Sequence, residues 1–553
     1  MRRFVVAILC LCIAFVSGFA GYRGHRIWKQ ERLVRQARTF LARSDAPNAL
    51  VCLRRTLQIN PKNVAACRLM ADFAEMAGMP DAVGWRSRLV ELEPKSLSDR
   101  LALARVAVAM GDTMTANQVL DGMDAAARDT AAYHRVAGAA DWGASRVSEA
   151  EAHFLQAARL DPTNAVSRLD LATLSLHQTN EQAAAIGRVV LRGLCADRSV
   201  RREALRQLSF DALRHANLDR ALEFSQQLLR ETNSLFSDRL LRLDVLHATR
   251  SSAQPAFLKT LQSESTHNPA RACEVARWLL RTGKPQEALD WIGSLPQGTR
   301  TSLAVQMAEA DCYIAARDWS VLLANLEKQS WFDLDSLRLA CRARAFKEQG
   351  MSAPAKAEWL AAMRATSNRR EPLVQLLNLT SLWGWGPEQE DVLWAVVKGY
   401  PKEQWAAEAL SRRLFAAGRT DSLLRLYEQA ARNGPDNVAI LNNLALTALL
   451  LESWNKRPHD LAHQVYARNP TNEVCVSTYA YSLLVQERPD QALTAIERLK
   501  PEQLEHPGIA AYYSIILSAS GNGERAKKYL ALASKASLLP EEQKLVERAR
   551  KES

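Results

Sequence analysis

The chain has 553 residues, of which 48% are hydrophobic and 24% charged. This composition excludes a largely disordered chain, and 20 prolines and 23 glycines are too few to require a long flexible linker. A net charge of +12 leaves anionic lipid, nucleic acid and acidic proteins open as partners.

The N-terminus carries an apolar run, FVVAILCLCIAFVSGFA at residues 4–20, after Arg2 and Arg3. One interpretation is a signal peptide with Gly18-Phe19-Ala20 as its cleavage site. The other is an uncleaved membrane anchor, which needs about 20 apolar residues. With Gly21 and Tyr22 the run comes to 19 residues.

A basic flank follows the run, and it favours the anchor. Its first members are Arg23, Arg26, Lys29 and Arg32. Dense positive charge opposes translocation of the segment that carries it. We therefore predict a single-pass protein of the inner (cytoplasmic) membrane. Its body faces the cytoplasm rather than the periplasm, and the flank contacts anionic lipid. Nucleic acid is a less favoured partner.

A period of about 34 residues then runs through the chain. Ala49, Ala82, Ala116, Ala150 and Ala184 are 33, 34, 34 and 34 residues apart. A period of this length indicates repeated helical hairpins.

Further residues keep a fixed place within each repeat. Phe154, Ala157 and Pro162 lie four, seven and twelve positions after Ala150. Near the C-terminus the first helices carry Leu441, Leu444, Ala445 and Ala448, then Tyr479, Ala480 and Leu483, at the spacing of an amphipathic helix.

This pattern resembles the tetratricopeptide repeat (TPR) family over nearly the whole chain. The resemblance implies an all-α fold, a right-handed α-α superhelical solenoid of TPR hairpins, here preceded by one transmembrane helix. Such a solenoid binds partners along a concave groove.

The regularity of the repeats predicts five regions. They are an anchor or signal peptide with its basic flank (1–29), a regular array (30–200), a degenerate array (201–403), a second regular array (404–540) and a capping helix (541–553). The degenerate region holds the helix-breaking cluster 383–387, WGWGP. That cluster is a joint between two arrays, an inserted loop or a degenerate repeat.

Motifs for catalysis are absent from the sequence. It has no Walker loop, G-x-G-x-x-G, G-x-S-x-G or H-E-x-x-H, and its nine cysteines form no C-x-x-C. We therefore predict no enzyme activity, cofactor or metal site, and buried cysteines that pack as small core residues. An enzyme whose residues lie within 367–403 is the alternative.

The resemblance also selects residues for a partner groove. In TPR proteins the first helices line the concave side through fixed places, which here hold Arg68, Asp72, Arg105 and Arg135, and Asn442 and Asn443 in the C-terminal block. Arginine binds carboxylates through paired hydrogen bonds, and asparagine can hold a peptide backbone. The other interpretation is that these residues are ordinary solvated helix surface.

The sequence thus predicts a non-catalytic, membrane-anchored scaffold that binds proteins or peptides, by analogy in envelope or polysaccharide-export assembly. The alternatives are a periplasmic or secreted TPR protein after signal cleavage, and a basic solenoid that contacts anionic lipid or nucleic acid.

Overall fold

The structure, a computed structural model, describes residues 23–43, 45–76, 79, 81–178, 180–454 and 457–553. Helices and their connections make up these ranges, and they contain no strand. The all-α prediction is confirmed for this part of the chain.

The helices follow one another with short connections. In chain order they are α1 (23–42), α2 (Ala46–Ile59), α3 (Val64–Met76), α4 (Ala82–Leu92), α5 (Leu97–Ala109), α6 (Thr113–Asp121), α7 (Ala125–Arg128), α8 (Ala131–Gly143), α9 (Val147–Leu160), α10 (Ala165–His177), α11 (Glu181–Leu194), α12 (Arg201–Arg214), α13 (Leu218–Arg230), α14 (Phe236–Ala248), α15 (Gln254–Ser265), α16 (Pro269–Arg281), α17 (Pro285–Ser294), α18 (Gln297–Arg300), α19 (Leu303–Ala316), α20 (Trp319–Glu327), α21 (Asp335–Glu348), α22 (Ser352–Ala365), α23 (Arg370–Trp383), α24 (Gly386–Gly399), α25 (Gln404–Ala416), α26 (Thr420–Asn433), α27 (Val438–Leu450), α28 (Pro458–Arg468), α29 (Glu473–Val485), α30 (Pro489–Ile496), α31 (Pro501–Leu504), α32 (Pro507–Ala519), α33 (Gly523–Ala533) and α34 (Pro540–Glu552).

Within each unit successive helices pair as hairpins, as α8–α9, α21–α22 and α32–α33 do, and several first helices also touch the next one. Helix α10 packs on its hairpin partner α11 and also on α8 and α12. The five periodic alanines, from Ala49 to Ala184, are all buried. Small residues are required there because two helices cross closely. A Cβ on Gly138 would lie 2.7 Å from the buried ring of Phe154. The repeating hairpins expected from the 34-residue period are therefore present.

The chain divides into two compact units, Met1–Glu264 and Ser265–Ser553. The tryptophan–glycine cluster lies within the second unit, in the turn between α23 and α24. Gly384 ends α23 with a φ of +67°, a left-handed conformation that suits glycine. Pro387 falls in the first turn of α24, where its missing N–H costs no hydrogen bond. The cluster thus connects the two helices of one hairpin.

The predicted localisation in the inner membrane requires correction. No helix of the described residues is long and apolar enough to cross a bilayer. A span takes about 20 apolar residues, whereas α2–α34 have at most 14. Helix α1 is longer, but it carries Arg23, Arg26, Lys29 and Arg32. Residues 4–20, on which that prediction rested, lie outside the described residues.

Two glycines of α11 give a first test of the packing. A Cβ on Gly187 would lie 2.8 Å from the carbonyl oxygen of Ala172, whereas a Cβ on Gly193 meets nothing within 4 Å. We expect Gly187→Ala to lower the free energy of unfolding by about 1–3 kcal/mol because a backbone must shift. Gly193→Ala should raise it by up to about 1 kcal/mol through better helix propensity. Urea unfolding followed by circular dichroism measures both, and equal stability of the two variants would contradict the close helix crossing.

Candidate functional site

The candidate site is a pocket of about 440 Å³ in the second unit, lined by α25, α26, α27 and the end of α24. Its apolar lining includes Val397, Ala407, Leu426, Ala430 and Ile440. Its polar lining includes Gln404, Glu408, Ser411, Arg412, Tyr427, Asn433, Asn437 and Asn443. Volumes of this order accommodate one or two side chains of a bound peptide.

The pocket exists because a small residue occupies a position that a bulky residue occupies in the next repeat. Ala407 on α25 and Leu441 on α27 are 34 residues apart and hold the same place in consecutive first helices. The side chain of Leu441 is buried in the core, whereas Ala407 lines the pocket. The change from leucine to alanine leaves volume between the hairpins unfilled.

Neutral polar groups form a connected chain inside the pocket. The hydroxyl oxygens of Ser411 and Tyr427 lie 2.7 Å apart. The Asn443 side chain also hydrogen-bonds Tyr427. Burial raises the pKa of Tyr427, so its hydroxyl is neutral over the physiological range. An asparagine amide has two donors and a carbonyl acceptor, and Asn443 therefore keeps hydrogen-bonding capacity for a ligand.

Charges on the rim are balanced. Glu403 accepts hydrogen bonds from Arg370 and from the indole N–H of Trp405. Glu408 and Arg412 are both exposed and lie one turn apart on α25. The rim therefore has no single sign of charge and does not select a strongly charged ligand.

The two asparagines predicted for the groove have different environments. Asn443 lines the pocket, as described above. Asn442 is only 2% exposed, and neither polar atom of its amide has a hydrogen-bond partner among the described residues. Of these two asparagines, Asn443 alone lines the pocket and can meet a ligand there.

The predicted groove arginines of the first unit lie in ion pairs. Arg68 on α3 donates to Asp99 on α5 at 2.6 Å and to Glu93 at 2.8 Å. Burial alone would raise the pKa of Asp99, but hydrogen bonds from Arg68 and Ser96 bring it below its usual value. Arg135 on α8 donates to Asp170 on α10 at 2.6 Å.

The other two charged candidates are paired as well. Asp72 accepts a hydrogen bond from Arg86 at 2.7 Å, and Arg105 forms an ion pair with Glu75. That Arg68, Asp72, Arg105 and Arg135 bind a partner stays a prediction, and a partner would have to compete with these internal contacts.

Two of these contacts belong to a recurring arrangement that was not predicted from the sequence. An arginine in one first helix pairs with a carboxylate at or beside the next first helix. We call these the inter-repeat ion pairs: Arg68–Asp99, Arg135–Asp170, Arg206–Asp238 and Arg370–Glu403. The partners are 31 to 35 residues apart. These ion pairs could therefore have been predicted from the sequence, in which an arginine is followed about one repeat later by an acidic residue.

The predicted basic flank lies on α1, and its four members are exposed. Arg26 donates to the carbonyl of Ile59 at the end of α2, and the Arg32 guanidinium lies 5.4 Å from the centre of the Trp28 ring. At least these two cations contact the protein itself.

Six of the seven cysteines among the described residues agree with the prediction of small core residues, whereas Cys195 is half-buried. Cys52, Cys67, Cys273, Cys312, Cys341 and Cys475 are free and buried. Burial raises the pKa of Cys312 and Cys341 to about 12, so both thiols stay protonated and are poor nucleophiles.

Comparisons with known proteins assign no family. No model of a protein family matches the chain, and no curated protein is significantly similar to it. Among solved structures it is similar to the crystal structure of the APC/C hetero-tetramer Cut9–Hcn1 and to Naa15/Naa10 bound to HypK-THB. Both are 14% identical with a TM-score of 0.27. The matches cover 94% of this chain and 96% and 77% of theirs. A TM-score this low supports no argument about fold or function.

Proposed function

We propose that this chain is a non-catalytic scaffold of TPR type that binds a segment of a partner protein in the pocket between α25 and α27. The observation that carries the proposal is the pocket itself, in which an apolar wall lies beside the hydrogen-bonded groups Ser411, Tyr427 and Asn443. The 34-residue period and the stacked hairpins support the choice of a binding scaffold.

The chemistry of the lining defines the ligand. Ala407, Leu426 and Ile440 favour an apolar side chain. The amides of Asn433, Asn437 and Asn443 can pair with the backbone of an extended peptide. The ligand we propose is therefore a peptide segment with one apolar anchor and little net charge.

Nucleic acid is not proposed as the partner. Arg68, Arg135 and Arg206 follow one another along the first unit, and each is paired with a carboxylate. Binding to phosphates depends on basic groups that are available to replace counterions, and these three are already engaged.

A random peptide library displayed on phage tests the proposal. We expect the full chain to enrich peptides that share an apolar anchor. Ala407→Leu should weaken their binding at least tenfold because it fills the pocket with the side chain that the next repeat carries. Asn443→Ala should weaken binding about tenfold through the loss of one or two hydrogen bonds.

The matched control is Phe415→Ala, which removes an exposed apolar side chain from the same helix outside the pocket. It should bind like the wild type in fluorescence anisotropy. Equal affinity of the wild type and the Ala407→Leu chain would exclude the pocket as the binding site.

A further inference from the structure

Helix α34 extends back along the second unit to a hairpin far from it in sequence. The Thr420 hydroxyl donates to Glu541, 121 residues later. A Cβ on Gly418, in the turn between α25 and α26, would lie 3.0 Å from Cγ of Pro540. At its other end α34 meets α32, where the Ser518 hydroxyl donates to the carbonyl of Ala549 at 3.3 Å. Helix α34 therefore joins the hairpin α25–α26 to the hairpin α32–α33.

Helix α34 covers faces of the first helices that would otherwise meet solvent. Nine consecutive residues of α32, from Ile509 to Leu517, are buried. A hairpin helix at the surface of an array has one exposed face, so an additional element must cover α32. Helix α34 packs directly on α32. Glu542 accepts hydrogen bonds from the Tyr512 hydroxyl of α32 and, at 2.7 Å, from the Leu539 N–H, and it lies close to Tyr481 of α29.

The contact that holds α34 in place is small. Eight of its thirteen residues are charged, and its buried side chains are those of Glu542, Val546 and Ala549, with Leu539 just before it. With the half-buried Leu538 and Leu545, five apolar side chains oppose the conformational entropy of thirteen ordered residues.

We propose that the surface beneath α34 is a helix-binding surface, and that an amphipathic helix with an acidic first turn from a partner protein displaces α34 from it. The hydroxyls of Thr420 and Tyr512 donate to the consecutive carboxylates Glu541 and Glu542, which selects an acidic pair. Small apolar residues four and seven positions after the second acid then lie on one face of the helix, as Val546 and Ala549 do.

This surface is distinct from the pocket. The pocket is lined by Gln404–Arg412 of α25, whereas α34 meets the turn that follows Ala416, the end of that helix. The inference therefore does not depend on a ligand in the pocket, and the failure of one proposal leaves the other intact.

Hydrogen–deuterium exchange of the full wild-type chain is the first test. If α34 is a displaceable occupant, its amides should exchange at least 100-fold faster than those of α32, because α34 opens without unfolding the hairpin beneath it. Equal exchange rates in α34 and α32 would mean that α34 is an integral part of the core and would overturn the proposal.

A labelled synthetic peptide of residues 537–553 is the second test. The full chain with Val546→Arg, which places a charge at the buried face of α34, should bind the peptide at least tenfold more tightly than the wild type does. The control Glu547→Arg introduces the same side chain at the neighbouring exposed position and should behave like the wild type. Adding Tyr512→Phe to the Val546→Arg chain should weaken binding severalfold through loss of the donor to Glu542.

Fluorescence anisotropy reports the affinity, and circular dichroism checks that each variant is folded. A folded Val546→Arg chain that does not bind the peptide would reject the surface. An unchanged affinity after Tyr512→Phe would reject the selection of acidic helices. The exchange experiment decides the proposal if the Val546→Arg chain does not fold.

Discussion

Asp238→Asn is expected to lower the free energy of unfolding of the first unit by about 2–3 kcal/mol. Asp238 is fully buried and accepts hydrogen bonds from the Arg206 guanidinium and, at 2.7 Å, from the Leu235 N–H. Asparagine keeps an oxygen for the backbone N–H but no longer neutralises the arginine. Breaking a buried pair costs about 3–5 kcal/mol, and we reduce that value because the Arg206 side chain is 20% exposed.

The matched control is Glu181→Gln, the same change from acid to amide in an ion pair whose acid is exposed. The Glu181 side chain is 72% exposed, and its partner Arg188 keeps a second carboxylate, Asp211. Exposed pairs contribute at most about 1 kcal/mol, so this variant should unfold within about 0.5 kcal/mol of the wild type. Urea unfolding measures both, and hydrogen exchange in α12 and α14 localises the effect. Equal losses in the two variants would show that the inter-repeat ion pairs do not hold the hairpins together.

The hairpins could be predicted because their determinants are local. The small residue at Gly138 and the ring at Phe154 meet within one hairpin, so their spacing in the sequence already reflects the contact. Helix starts are equally local. Asn164, Asn437 and Asn472 each precede a helix and accept hydrogen bonds from its first N–H groups.

Which of the groove residues are already paired with other side chains of the protein could not be predicted in the same way. Periodicity gives the face on which Arg68 and Arg135 lie, but not whether a carboxylate one repeat away reaches them. The pocket could have been found by comparing repeats, because Ala407 takes the place that Leu441 has in the next one. The position of α34 could not be predicted from the sequence. Its charge and amphipathicity predict that it covers an apolar face, but they do not predict which one. Thr420, which contacts the first turn of α34, lies 121 residues earlier in the chain, so no local pattern links the two.

Trp331→Ala should lower the free energy of unfolding of the second unit by about 3–5 kcal/mol. Trp331 lies between α20 and α21, is 2% exposed, and packs in a cluster with Leu322, Leu326 and Cys341. Its indole N–H donates to the Gln329 side chain at 2.9 Å. Alanine would leave both a large cavity and an unpaired amide oxygen.

The control for this variant is Trp454→Ala, because Trp454 is 47% exposed and stacks on the ring of His459 at 5.5 Å. We expect it to cost less than about 1 kcal/mol. The cluster around Trp331 draws on α19, α20 and α21 with Trp383 beside it, and a repeat array is stabilised mainly by contacts between neighbouring hairpins, so the damage from Trp331→Ala should stay local. Hydrogen exchange should therefore show lost protection in α20 and α21 and near-native protection in α32. An even loss of protection throughout the second unit would instead mean that its hairpins unfold as one cooperative core, and the assignment of a separate cluster around Trp331 would be wrong.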